Sequence, residues 1–199
     1  HLPPVVPVAA AETAKKTTSD KPKIAIIHAS GMIQEGKSSG GSLLGESVMG
    51  SDTVIKHLKQ AEKDKTVKAI ILRVDSPGGS ALASDLIWRE VTRIEKPIVA
   101  SMSDVAASGG YYISMGADKV YAEPGTITGS IGVVSIKPAL SGLMEKVGIT
   151  TETVSIGKTG TCLASSHPMS DSEKAAMQQR VDENYDAVVA TASRGGRRD

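Results

Sequence analysis

A serine among small residues is the strongest candidate for chemistry in this sequence. Ser108 lies in the run AASGG at residues 106–110, which follows an apolar stretch and opens a predicted helix of small residues. At such a junction the positive end of the helix dipole favours alkoxide character in the hydroxyl. The neighbouring side chains are too small to obstruct a substrate. The pattern fits a nucleophile and also fits a helix cap followed by close packing, and the motif alone does not decide between them.

A second glycine-rich turn is suited to stabilise the charge that a nucleophilic serine generates. Residues 75–80 read DSPGGS and lie between a predicted strand and a predicted helix. The backbone N–H groups of Gly78 and Gly79 at such a turn can bind an anion or a developing oxyanion. From the spacing alone, a tight strand-to-helix turn is the simpler interpretation. The glycine patterns typical of nucleotide sites are absent.

A serine nucleophile also needs a base, and the histidines are poorly placed for that role. None of the four is followed by a convincing orienting carboxylate: His1, His28, His57 and His167. The alternative is a lysine whose pKa is lowered by burial or by neighbouring positive charge. The chain has 23 lysines and arginines, so composition alone does not identify such a lysine.

The composition excludes several other classes of site. The net charge is +1 and only 3% of residues are aromatic, which argues against nucleic acid as a partner. A single cysteine, Cys162, excludes a disulfide within the chain and a multi-cysteine metal site. Histidines and carboxylates do not cluster at ligand spacings, so we expect no metal and no cofactor. The sequence has no apolar run of about 18 residues that would span a membrane.

The elements that position these residues follow from the apolar periodicity. Residues 1–22 read as a flexible linker and residues 23–199 as one domain. Gly and Ser dominate residues 30–50, which predicts a long loop. Strands are expected at residues 23–29, 67–74, 97–102, 119–122, 132–136 and 151–156. Helices are expected from residue 51, at 81–94, 106–115 and 139–147, and from a capping box at 170–173 to about 193. This alternation predicts an α/β domain with a mostly parallel sheet.

Three motifs in order resemble the signal peptide peptidase A family, also called protease IV. They are LRVDSPGGS at residues 72–80, SDVAASGGYYIS at 103–114 and TITGSIGV at 126–133. The likeness extends from about Lys23 to Arg194. It implies a ClpP/crotonase-like fold, in agreement with the alternating strands and helices.

The resemblance also implies roles for particular residues. Ser108 is the implied nucleophile, which forms an acyl-enzyme. Gly78 and Gly79 are implied to supply oxyanion-hole amides, and Gly109 is grouped with them at the substrate-binding site. Ser130 is implied to orient the general-base lysine. The loop at residues 34–50 is expected near the substrate entrance.

The lysine is the position where the likeness is incomplete. In short family members it follows the serine in a stretch resembling YKSGxYK, and the corresponding position here falls near Gly160. Lys158 lies two residues away and is a candidate base. In double-domain members the serine lies in the C-terminal half and the lysine in the N-terminal half. The Pro/Ala/Lys-rich start and the absence of an initial Met make this chain similar to such a C-terminal half, whose base comes from an upstream domain.

The function that the resemblance implies is that of a serine endopeptidase with a Ser–Lys mechanism. Its substrates are cleaved signal peptides and other small membrane-associated peptides. The resemblance also implies a ring-shaped homo-oligomer at a bacterial membrane, on the extracytoplasmic side. Two alternatives stay open: a crotonase-type acyl-CoA enzyme, and a non-catalytic scaffold or interaction domain if the lysine is missing.

Overall fold

The residues of this chain fall into two compact units. The first unit includes the chain up to Ile131 and the residues from Thr191 onward, and the second unit is Gly132–Ala190. The computed structural model describes residues 21–40, 47–157 and 159–193. Most of the predicted linker, residues 1–20, lies outside the described residues.

Strands and helices alternate through most of the described chain. In chain order, the elements are β1 (Lys23–Ser30), β2 (Met32–Gln34), β3 (Val48–Gly50), α1 (Ser51–Lys63), β4 (Val67–Ser76), α2 (Ala81–Arg93), β5 (Ile98–Ala107), α3 (Gly109–Ser114), β6 (Lys119–Tyr121), β7 (Ile127–Gly129), α4 (Ser141–Lys146) and α5 (Asp171–Ser193). Among the described helices, none is both long and apolar enough to cross a lipid bilayer.

The strands form a parallel sheet, as the alternation predicts. The order across the sheet is β1, β4, β5 and β6, and β7 also pairs with β5. All these pairings are parallel, as is the separate pairing of β2 with β3. Parallel neighbours require crossover connections, and here α1 precedes β4 while α2 links β4 to β5. The α/β class with a mostly parallel sheet is confirmed.

The core of the first unit is aliphatic because the chain has almost no large aromatic side chains. Alternate residues of the central strands are fully buried, as at Leu72 and Ile98, and helical spacing buries Leu58 on α1 and Ile87 on α2. These side chains belong to one continuous cluster. Burial of this cluster gives the sheet its hydrophobic stabilisation and holds the strand ends in place.

The strand β5 carries the chain to the candidate nucleophile. Its first half pairs with β6, from Val99 to Ser101, and its last residues pair with β7 instead. This second pairing keeps β5 extended through Ala107, so α3 begins only at Gly109. The predicted helix at residues 106–115 therefore starts too early, because the sequence does not reveal that β7 extends the strand.

Two predicted strands are wrong. The chain forms no strand at residues 132–136 or 151–156, both of which lie in the described part of the second unit. Most of their apolar side chains are highly exposed, for example Ile136 at 82% and Val154 at 97%. Alternating apolar residues form a strand only where a neighbouring strand and a core are present, and these segments pair with no described strand. The predicted helix at 139–147 is shorter, and the capping-box helix is confirmed as α5.

Candidate active site

Ser108 occupies a sharp turn between β5 and α3. Its backbone has φ 51° and ψ −117°, a strained conformation for a residue other than glycine. Its N–H donates to the Gly129 carbonyl at 2.8 Å, and its own carbonyl accepts the Tyr112 N–H at 2.9 Å. The side chain is half-buried. A serine on a strained strand-to-helix turn is the arrangement that exposes the nucleophile in many hydrolases.

The contribution of the helix dipole is smaller than the sequence suggests. The helix α3 contains only six residues, and the Ser108 side chain makes no capping hydrogen bond to it. The strained turn, rather than a long helix, therefore presents the hydroxyl.

Gly78 lies directly against the candidate nucleophile. A Cβ at Gly78 would be 2.8 Å from the Ser108 Cβ and 2.7 Å from the Gly109 nitrogen. Its φ of +102° is also unfavourable for any other residue. The structure thus brings the two glycine-rich turns of the sequence together, and only glycine allows this approach.

The amides of this site differ in what they bind. The Gly78 N–H donates to the buried Ser76 hydroxyl at 3.1 Å, which itself donates to the Gly31 carbonyl at 2.6 Å. Among the described residues, the N–H groups of Gly79 and Gly109 have no acceptor. The amides of Gly79 and Gly109 are therefore not engaged within the described residues, whereas the Gly78 amide is engaged and Gly78 provides close approach to Ser108.

The segment before α1 is hydrogen-bonded to the DSPGGS turn. Ile33 on β2 donates its N–H to the Gly78 carbonyl at 2.8 Å and accepts the Ser80 N–H at 2.9 Å. The Ser80 hydroxyl donates to the Glu35 carboxylate, and this bond lowers the pKa of Glu35. Residues 41–46 of the predicted entrance loop lie outside the described residues.

Close packing of α3 on α2 fixes the other side of the nucleophile. A Cβ at Gly109 would be 2.4 Å from the Ser84 Oγ, so any larger residue here would force the Ser84 hydroxyl to move. The Tyr112 hydroxyl donates to Asp85 at 3.2 Å, and its ring packs on Trp88 with centroids 5.7 Å apart. Burial, with a further contribution from the Asp85 charge, raises the pKa of Tyr112. Sequence reasoning missed Ser84, and its place on the buried face of α2 was the available signal.

Ser130 lies at the same end of the sheet as Ser108. Ala107 on β5 pairs with Gly129 on β7, so each serine directly follows a paired residue. Both serines have φ 51°. The Ser130 side chain is exposed, which leaves its hydroxyl open to a further group. Lys158, the candidate base within this chain, lies outside the described residues.

Two family models match overlapping parts of the chain that contain residues of the candidate site. The model of peptidase family S49 matches residues 90–197, which include Ser108 and Ser130. The model of the Clp protease family matches residues 44–128, which include both glycine-rich turns.

Curated relatives are similar over most of the chain. The chloroplastic serine protease SPPA of Arabidopsis thaliana is 43% identical over 171 residues, which are 84% of this chain and 25% of that protein. Protease 4 of Haemophilus influenzae is 38% identical over 176 residues, which are 87% of this chain and 28% of that protein. The chain thus spans about a quarter of the length of these two relatives.

A solved structure of ClpP1 from Listeria monocytogenes has a TM-score of 0.35 and 20% identity, and covers 48% of this chain and 46% of that chain.

The S49 model covers more than half of the sequence and contains the serine that the geometry singles out. The chain therefore belongs to peptidase family S49.

Proposed function

We propose that this chain is the serine-bearing catalytic part of a peptidase. The observation that carries the proposal is the strained turn at Ser108, which lies against Gly78 and beside two amides without a described acceptor. This arrangement offers a nucleophile and an oxyanion-binding site within one rigid part of the first unit. The membership in family S49 supports the same chemistry.

The reaction begins with attack of the Ser108 Oγ on the scissile carbonyl. The serine proton passes to a base, and the carbonyl oxygen becomes an oxyanion that the N–H groups of Gly79 and Gly109 stabilise. Collapse of the tetrahedral intermediate breaks the C–N bond, and the base returns the proton to the leaving amine. Water then hydrolyses the acyl-enzyme and restores the hydroxyl. Each oxyanion donor is worth about 10²–10³ in rate in comparable enzymes.

The base in this mechanism is a lysine held by the Ser130 hydroxyl. Within this chain Lys158 is the candidate base, although Gly160 lies nearer the position that the family uses. The alternative source is an upstream domain, as the likeness to double-domain proteins implies. The Ser130 side chain at the end of β7 is exposed, and this accessibility is compatible with either source.

The substrates proposed are cleaved signal peptides and other small membrane-associated peptides. Alanines and glycines surround Ser108, which suits extended peptides with small or apolar side chains. We further propose a ring-shaped homo-oligomer at a bacterial membrane, on the extracytoplasmic side. Exposed apolar side chains in the second unit, such as Val134 at 83%, support an assembly because association would remove them from water.

The test of the nucleophile is covalent labelling with a fluorophosphonate probe. We expect the probe to modify Ser108, and Ser108→Ala to abolish the labelling. Ser172→Ala, which removes an exposed hydroxyl at the start of α5, is the control and should label normally. Absence of Ser108-dependent labelling, both alone and with an added upstream domain, would contradict the proposal. Retention on a coenzyme A matrix would then favour the acyl-CoA alternative, and its absence the scaffold alternative.

The source of the base is tested with the same probe. If Lys158 is the base, Lys158→Ala abolishes acylation of Ser108. Unchanged labelling in that variant, together with a gain in peptidase activity on adding the upstream domain, assigns the base to that domain.

A further inference from the structure

The strand β5 contains a bulge immediately before the candidate nucleophile. Val74 on β4 pairs with Met102, and two residues later Ser76 pairs with Ala106, so β5 has two more residues than β4 over this stretch. A bulge bends its strand and redirects the residues that follow. Here the residues that follow lead directly to Ser108.

The guanidinium of Arg73 donates hydrogen bonds to residues at the N-terminal end of the bulge. Its Nη1 donates to the Ser101 Oγ at 2.7 Å and to the Met102 carbonyl at 3.0 Å. Its Nη2 donates to the Ser103 Oγ at 3.0 Å. The rigid fork of an arginine thus binds three successive residues of β5, at the point where the regular pairing with β4 ends.

The carboxylate of Asp75 accepts a hydrogen bond from the C-terminal end of the bulge. Its Oδ1 accepts the Val105 N–H at 3.2 Å, a bond that the backbone of β4 does not make at this point. Asp75 and Arg73 are two residues apart on β4 and therefore lie on the same face of the strand. Together they hold both ends of the bulged segment, residues 102–105.

The bulge determines how β5 meets β7. Pairing with β7 begins at Val105 and continues to Ala107, which faces Gly129. The next residue, Ser108, donates its N–H to the Gly129 carbonyl at 2.8 Å. The direction that β5 takes after the bulge thus decides where Ser108 lies relative to the Gly78 turn.

We propose that Arg73 and Asp75 are positioning residues for the reaction at Ser108. They act through the β5 bulge and the pairing of β5 with β7, and not on the substrate. The inference rests on the proposed function of Ser108. A mainly structural role for the two charges would lower stability without a selective effect on acylation.

The experiment compares variants of Asp75 with a matched control in the same bulge. Asp75→Ala removes the acceptor of the Val105 N–H, whereas Asp75→Asn keeps an oxygen there. Asp104→Ala is the control, because its carboxylate is exposed and has no described partner. We expect Asp75→Ala to slow fluorophosphonate labelling of Ser108 by about 10²-fold, since small displacements of a reacting group cost that much. Asp75→Asn and Asp104→Ala should label at nearly the parent rate.

Separate measurement of kcat and KM distinguishes a positioning role from a general loss of folded protein. With a peptide substrate, Asp75→Ala should lower kcat and leave KM close to the parent value. Arg73→Lys keeps the charge but loses the fork, so it should show the same split. Should Asp75→Ala not fold, Arg73→Lys and Asp75→Asn carry the comparison.

A readout without catalysis keeps the inference separate from the proposed function. Amide hydrogen exchange at Ser108 reports its bond to the Gly129 carbonyl. Exchange should be faster in Asp75→Ala than in Asp75→Asn or Asp104→Ala, even if no peptidase activity exists. Equal exchange in all three variants, or an Asp75→Asn as impaired as Asp75→Ala, overturns the inference. Absence of Ser108 labelling in the parent protein, both by itself and with an added upstream domain, counts only against the proposed function.

Discussion

The two units of this chain are organised by different interactions. In the first unit, apolar side chains of the central strands and of α1 and α2 are buried in one cluster. In the described part of the second unit, no apolar side chain is buried, and the buried side chain is the carboxylate of Glu173. Apolar burial therefore underlies the framework that carries Ser108, whereas hydrogen bonds organise the described residues of the second unit.

Glu173 illustrates how the second unit is held together. Its carboxylate accepts the Ser170 N–H at 2.9 Å and the Thr161 hydroxyl at 2.9 Å, and lies 3.5 Å from the His167 Nε2. The backbone bond from Ser170 is the largest cause that lowers the pKa of Glu173 to about 2. One carboxylate thus completes the capping box of α5 and holds the preceding loop.

The largest effect should come from a methyl group at the contact between the two turns. Gly78→Ala places a Cβ 2.8 Å from the Ser108 Cβ at a positive φ. We expect Ser108 labelling to fall by about 10²-fold or more, because the nucleophile or the turn must move. Gly125→Ala, where no atom lies within 4 Å of the added Cβ, is the matched control and should label normally. Normal labelling in Gly78→Ala would contradict the close approach.

The contrast in burial predicts unequal costs for truncating aliphatic side chains. Leu72→Ala, in the fully buried centre of β4, should lower the free energy of unfolding by about 2–5 kcal/mol. Ile136→Ala, at a side chain 82% exposed in the second unit, should change it by about 0.5 kcal/mol or less. Chemical denaturation of both variants measures the two values. A large cost for Ile136→Ala in dilute protein would show that this side chain is buried in solution.

The smallest effect concerns Glu173 and depends on pH. Its pKa of about 2 in the folded chain lies below the ordinary value of 4.5, so its stabilising contribution is present above pH 4.5 and is lost as the pH falls towards 2. The difference in melting temperature between the parent and Glu173→Gln should therefore be largest near neutral pH and shrink below pH 4.5. Glu152→Gln, at an exposed carboxylate, is the control. A difference independent of pH would contradict the role of the ionised carboxylate.

The sequence predicted most of the first unit correctly because its signals are local. Apolar runs identified the strands at the sheet centre, and glycine-rich turns identified residues 75–80 and 106–110 as the candidate site. In the second unit, the capping box at Ser170 and Glu173 likewise identified the start of α5. Each of these signals depends on neighbouring residues and on the burial of a side chain on one face.

The sequence failed where a strand depends on a distant partner. Residues 132–136 have the same apolar alternation as a true strand but pair with no described strand, whereas β7 forms at Ile127–Gly129 because β5 lies beside it. The polar alternation of Arg73 and Asp75 after the apolar run of β4 was visible in the sequence. Its meaning was not, because the bulge it holds lies about thirty residues further along the chain.

By itself, the sequence determined the class of fold, the candidate nucleophile and the glycines beside it, because residue type and local spacing set these features. The contact of Gly78 with Ser108, the engagement of the Gly78 amide by Ser76, and the strained backbone of Ser108 were decided by tertiary structure alone. Each depends on how β4, β5 and β7 align, and strand register arises from pairing between segments far apart in the sequence.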